Sequence, residues 1–107
     1  MPITIEDFKN IELISAKIKE VRPHPNADRL YVLKIDTGKE EKQLVAGIRL
    51  SYTPEQLIGR TIIVVNNLQP AIIRGEESNG MLLAVSDEKG ASLLTPDREM
   101  APGCIVK

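Results

Sequence analysis

The sequence predicts an all-β fold, a small barrel with short helices, on three observations. Short apolar runs alternating with period two recur along the chain, bounded by Gly, Pro, Asn or Asp. A capped helical segment separates the third run from the fourth. No βαβ unit repeats, so a parallel sheet with crossover helices is not expected. Periodicity alone leaves sandwich and barrel open; several short strands around one helix suggest a small closed barrel.

Thr4 caps a short helix expected over Ile5–Asn10, with Glu6 and Asp7 in its first turn, where the helix dipole favours acids. In Glu12–Val21, Ile14, Ala16 and Ile18 alternate with Ser15, Lys17 and Lys19, the pattern of a half-buried strand. Pro23 and Pro25 flank His24 and end it, and Asn26–Arg29 reads as a tight turn or one helical turn. Leu30–Asp36 is a strand with Tyr31, Leu33 and Ile35 on one face, and Asp36–Lys39 turns the chain into a hairpin partner, Lys42–Ala46. Thr53, Pro54 and Gln56 make an N-cap, a first-turn proline and a capping box, and Gly59 ends that short helix. Thr61–Asn66 is a mostly apolar central strand. Met81–Ser86 and Ser92–Thr95 are expected to form a hairpin around Asp87–Gly90, and Ile105 and Val106 a terminal strand.

The 107 residues suit one domain, 1–107, and 42% hydrophobic content sustains a modest core without staples. No apolar run approaches the ~20 residues of a membrane helix. Met1–Glu6 lacks the basic and apolar regions of a signal peptide, so a cytoplasmic protein with no membrane partner is expected. The single cysteine, Cys104, excludes an internal disulfide and a cysteine-based zinc site; beside Ile105 and Val106 it reads as a small buried hydrophobe. A formal net charge of −1 gives no overall basic balance, though it leaves room for a local patch. Only Phe8, Tyr31 and Tyr52 are aromatic, too few for base-stacking recognition of single strands, whereas reading a folded RNA by shape needs fewer.

The densest cluster of turn-forming and polar residues is Asn67–Met81, between two apolar strands. It contains Pro70, Gly75, Gly80 and Arg74, with Asn67, Ser78 and Asn79 offering uncharged hydrogen-bonding groups. Polar groups held on a connecting segment by a rigid scaffold are where binding usually resides. This stretch resembles the tRNA-binding domain appended to many methionyl-tRNA synthetases, also found as small freestanding dimeric tRNA-binding proteins and in endothelial-monocyte-activating polypeptide. That family carries an Asn-Leu-Lys-Pro turn, a basic stretch ending in Gly, then Ser-x-Gly-Met. Asn67, Leu68, Pro70, Gly75, Ser78, Gly80 and Met81 match it. Glu6–Phe8, His24–Leu30, Val45–Ile48, Tyr52–Leu57 and Leu94–Asp97 extend the likeness over nearly the whole chain.

The resemblance implies an OB-fold barrel with short helices and additional C-terminal strands. It implies a non-catalytic module that binds tRNA by structure rather than sequence, without metal or cofactor. The module is either freestanding, as a homodimer, or part of an aminoacyl-tRNA synthetase. The alternative is a dimeric protein-interaction or chaperone-like module of the same fold. The expected tRNA-binding residues are Asn67, Arg74, Ser78 and Met81, with Arg74 the first choice for a phosphate contact. Lys34, outward-facing on an early strand with Lys17 and Lys19, is a further candidate; Arg29, Lys42 and Arg49 extend a possible positive stripe. His24, the only histidine, reads as part of a structured turn in which Asp28 bonds local backbone, rather than as a general base. The chain departs from the family pattern at Ile14, Gln69, Ala71 and Ile72, where basic residues are usual, and at Glu76, usually apolar. Each lost cation removes a counterion-release contribution.

Overall fold

Thr4 accepts a hydrogen bond from the Asp7 amide while Asp7 bonds back to the Thr4 amide, and this capping box starts helix α1, Ile5–Lys9. The long strand β1, Leu13–Pro23, follows, then β2, Tyr31–Asp36, and β3, Glu41–Ala46. Helix α2, Pro54–Leu57, carries the expected box between Thr53 and Gln56. Strands β4 (Thr61–Val65), β5 (Ala71–Ile73), β6 (Glu76–Ser78), β7 (Met81–Leu82), β8 (Ala84–Asp87), β9 (Gly90–Leu93) and β10 (Ile105–Val106) complete the chain. The computed structural model describes residues 1–107.

The main sheet runs β3-β2-β1-β4-β7, with β10 also paired to β1. β1 serves different partners along its length. Its first half lies against β4, Leu13 opposite Val65 to Lys17 opposite Thr61, while its second half lies against β2, Ile18 opposite Ile35 to Pro23 opposite Tyr31. A bulge between Ile18 and Glu20 interrupts the β2-paired half just past the end of the β4 pairing, and such an extra residue bends and twists a strand. The free edge of β3 is met by the corner after β6: the Asn79 amide donates to the Gln43 carbonyl at 2.8 Å. The sheet thus curls into a nearly closed OB-fold barrel.

The inward positions alternate as the sequence requires. Ile14, Ala16 and Ile18 of β1, Tyr31, Leu33 and Ile35 of β2, Leu44 and Ala46 of β3, and Ile62 and Val64 of β4 form one buried cluster. Leu57 of α2 is fully buried in the same cluster. Burying one such side chain stabilises by roughly 1.5–3 kcal/mol. Tyr52 ties the later strands to this core: its hydroxyl accepts from the Leu93 amide at 3.0 Å and its carbonyl from the Tyr31 hydroxyl at 2.7 Å.

Four expectations need correction. Ser15, read as the polar face of a half-buried strand, is buried, because the C-terminal segment covers it. Its hydroxyl donates to the Ala101 carbonyl at 2.8 Å and accepts from the Cys104 amide at 2.9 Å. Cys104 itself is only half-buried. Met81–Ser86 is not one strand: β7 pairs with β4, and the chain then turns outward so that β8 pairs with β9, Asp87 opposite Gly90. Finally, much of the connecting segment after Asn67 is a β-hairpin, β5–β6. No helix is long and apolar enough to cross a membrane.

Candidate nucleic-acid interface

The β5–β6 hairpin pairs Ala71 with Ser78, Ile72 with Glu77 and Ile73 with Glu76. Its two-residue turn is Arg74-Gly75, with φ of 55° and 95°. Two successive positive φ values define the turn whose twist matches antiparallel strands. Gly75 adopts this freely; Arg74 is the only non-glycine residue of the chain with positive φ. The turn therefore puts the guanidinium at the tip of the hairpin, exposed and in no ion pair.

Polar bonds fasten the hairpin to the barrel. At its base, the buried Ser78 hydroxyl accepts from the Val45 amide at 3.0 Å and donates to the Gly80 carbonyl at 2.9 Å. Gly80 is required there: a Cβ would stand 2.8 Å from the Val65 carbonyl oxygen, at φ +121°. The Gln43 side-chain amide donates to the Glu77 carbonyl at 2.9 Å. Nearer the tip, Arg22 of β1 donates to Glu76 at 2.7 Å, and the His24 ring contacts the Ile73 carbonyl at 2.9 Å. Glu76, a departure from the family pattern, is thus the hairpin's half of its one ion pair.

The five candidate residues fall into two groups. Arg74, Met81 and Lys34 expose their side chains, Lys34 beside Glu20 at 3.5 Å, a surface pair of little energetic weight. Ser78 is buried, whereas Asn67 is exposed but has its amide bonded to backbone within the fold. Asn67 accepts from the Glu12 amide at 2.9 Å and donates to the Asn10 carbonyl at 2.8 Å, so both ends of its amide fix the entry to the hairpin segment. The wider stripe breaks up: Lys42 donates to the Asn66 carbonyl and side chain, and Arg49 to the Ala27 carbonyl. Lys17, Lys19 and Arg29 remain unpaired. Gln69, Ala71 and Ile72, where the family is often basic, all lie exposed.

His24 is 3% exposed. Its Nδ1 accepts from the Asn26 amide at 2.9 Å and its Nε2 faces the Ile73 carbonyl, leaving neither nitrogen open for proton transfer to a ligand. The turn's side-chain bonds come from His24 and Asn26, where the sequence pointed to Asp28. Sequence reading missed this anchoring set, Arg22, His24, Asn26 and Gln43, because its partners lie far along the chain; the one available signal was the His-Pro-Asn motif. No three His, Cys, Asp or Glu residues gather as a metal site.

A second feature is a groove of about 810 Å³ between α1, the start of β1, the β2–β3 turn and β10. Its apolar lining includes Ile5, Phe8, Ile11, Leu13, Ile105 and Val106.

The OB-fold barrel thus presents an unpaired arginine on a hairpin fastened to it by polar bonds. The family model for the tRNA binding domain matches residues 13–104, and the chain belongs to that family. It is 48% identical over 105 residues to the methionine–tRNA ligase of Pyrococcus horikoshii, covering 98% of this chain and 14% of that protein. The chain thus spans about one-seventh of such curated relatives. Two solved structures share the fold along their whole length. The MetRS-related protein from Pyrococcus horikoshii has a TM-score of 0.92 at 30% identity, covering 100% of this chain and 99% of that one. The CsaA chaperone protein from Picrophilus torridus has a TM-score of 0.93 at 34% identity, covering 99% and 100%.

Proposed function

We propose that this chain is a single non-catalytic domain that binds the sugar-phosphate backbone of folded tRNA through the face carrying the β5–β6 hairpin. The observation that carries the reading is Arg74: a free cation held at a hairpin tip in an unfavourable backbone conformation. Strained residues persist where the surroundings over-determine them, and they cluster at binding sites. Lys34 and Met81 add an exposed charge and an apolar contact; Asn67 and Ser78 shape the segment that presents them. Such contacts read shape, so discrimination among tRNA species is small. Attached to a methionyl-tRNA synthetase, or freestanding beside one in the cytoplasm, the domain raises the local concentration of tRNA. The apolar groove beside α1 and β10, flanked by exposed Ile5 and Ile105, suits a second copy of the chain, and a homodimer offers tRNA two hairpins.

Binding of folded tRNA and of single-stranded DNA of equal length, titrated over a range of salt, tests this. Preference for tRNA with a shallow salt slope is expected, reflecting few phosphate contacts. Equal binding to unfolded RNA, or none at low salt, sinks it. Sedimentation at micromolar concentration tests the dimer, and monomer mass alone counts against it. Exposed Ile72 and Met81 favour a second reading, a protein-interaction module, in keeping with the chaperone name of the Picrophilus torridus protein.

A further inference from the structure

We infer that His24 is the positioning residue for Arg74, holding the hairpin tip in the orientation in which its guanidinium meets phosphate; this rests on the reading of the hairpin as the tRNA face. His24 lies in the loop between β1 and β2, forty-nine residues before its hairpin partner Ile73. The Asn26 backbone N–H can only donate, so Nδ1, which it approaches at 2.9 Å, carries no proton. The single N–H of the neutral ring is therefore on Nε2 and is donated to the Ile73 carbonyl at 2.9 Å. That carbonyl belongs to the residue immediately before Arg74. From the same loop, Asn26 Nδ2 donates to the Arg74 carbonyl itself at 3.4 Å. One loop thus holds two successive carbonyls of the turn.

The turn needs holding. A two-stranded hairpin is marginal by itself, and β5 and β6 have three residues each and form a sheet separate from the barrel's. Arg74 sits where an L-residue with a long side chain is disfavoured. The Ser78 bonds and the Gln43 bond to the Glu77 carbonyl secure the base, and Gln43 reaches the Glu76 carboxylate nearer the tip only at 3.4 Å. At the tip, the Arg22–Glu76 pair is half solvent-exposed on its arginine side, at 52%, whereas the imidazole is buried and bonded at both nitrogens. It is the one buried side chain that bonds the tip.

Two substitutions separate the imidazole's bonds. His24→Gln keeps an N–H donor at the reach of Nε2; His24→Asn keeps an acceptor at the reach of Nδ1 and loses the hairpin. Amide hydrogen exchange of residues 73–76 and tRNA affinity are measured for both variants, alone and combined with Arg74→Ala. In His24→Asn, exchange is expected to rise about fivefold, the factor one ordinary hydrogen bond corresponds to. Affinity should fall with it, and adding Arg74→Ala should weaken binding no further. His24→Gln should restore both properties toward the unmodified chain. The milder Asn26→Ala deletes only the bond to the Arg74 carbonyl and should weaken binding in the same Arg74-dependent way. Unchanged exchange in His24→Asn overturns the inference. So does faster exchange with unchanged affinity while Arg74→Ala weakens binding, or additivity of either loop variant with Arg74→Ala. If Arg74→Ala is itself silent, the tRNA reading of this face fails and the inference goes with it, whatever the exchange data show.

Discussion

The barrel and the β5–β6 hairpin are built on opposite physical terms. The barrel buries one cluster of fourteen side chains and excludes water from it. The hairpin buries little: Ala71 and Ile72 are exposed, Ile73 and Glu76 half-buried, and only Ser78 is fully inside. What it has instead is directional polar bonds from β1, β3 and the loop after β1. Burial is non-directional and stabilises a shape that tolerates repacking. Hydrogen bonds contribute less each but fix orientation. A segment that must present one guanidinium accurately, while keeping its outer face free for a ligand, is better served by the second kind of attachment.

The largest expected effects test the barrel half of this contrast. Leu57→Ala leaves a cavity in the fully buried cluster and should cost about 2–5 kcal/mol in chemical denaturation, with tRNA affinity of the folded fraction retained. Ser78→Ala stands between the two regions. It strands the Val45 amide and the Gly80 carbonyl and should cost about 1–3 kcal/mol while also weakening tRNA binding. A loss of binding without a loss of stability would instead make Ser78 a direct contact. Arg74→Asn suits the left-handed turn better and should raise stability by up to about 1 kcal/mol. It should simultaneously weaken tRNA binding, the opposite pairing of effects from Ser78→Ala. The smallest stability changes belong to Gln69→Lys and Ile72→Lys, both exposed and expected within about 0.5 kcal/mol of the unmodified chain. Each should nonetheless tighten tRNA binding and steepen the salt slope by about one unit. Lys substitutions that leave affinity and slope unchanged would show that the hairpin's outer face does not meet phosphate.

Much of the barrel was legible because its signals are local. Period-two alternation marked Ile14, Ala16 and Ile18, and Tyr31, Leu33 and Ile35, as inward-facing. A Thr4 N-cap with acids behind it and the Thr53–Gln56 capping box marked both helices where they begin. The hairpin was not legible as a hairpin: each strand has three residues, too few to show a period, and the turn is Arg-Gly where Asn-Gly is the usual signal. The buried Ser15 escaped for a different reason, since its cover arrives from residues 101–104, more than eighty positions later.

By itself, then, the sequence determined the all-β class, the N-caps of both helices, the inward faces of β1 and β2 and the family motif from Asn67 to Met81, because these rest on residue type and short spacing. Only the tertiary structure decided which motif residues are available. Asn67 and Ser78 carry the same kind of polar group as any exposed contact, yet their hydrogen bonds are taken up by Glu12 and Asn10 and by Val45 and Gly80. Arg74 is left free because the two-residue turn points it outward, and His24, forty-nine positions before Ile73, is brought beneath the turn. Whether a polar side chain is free or engaged depends on partners that arrive through barrel closure, and closure joins segments whose separation along the chain carries no local trace.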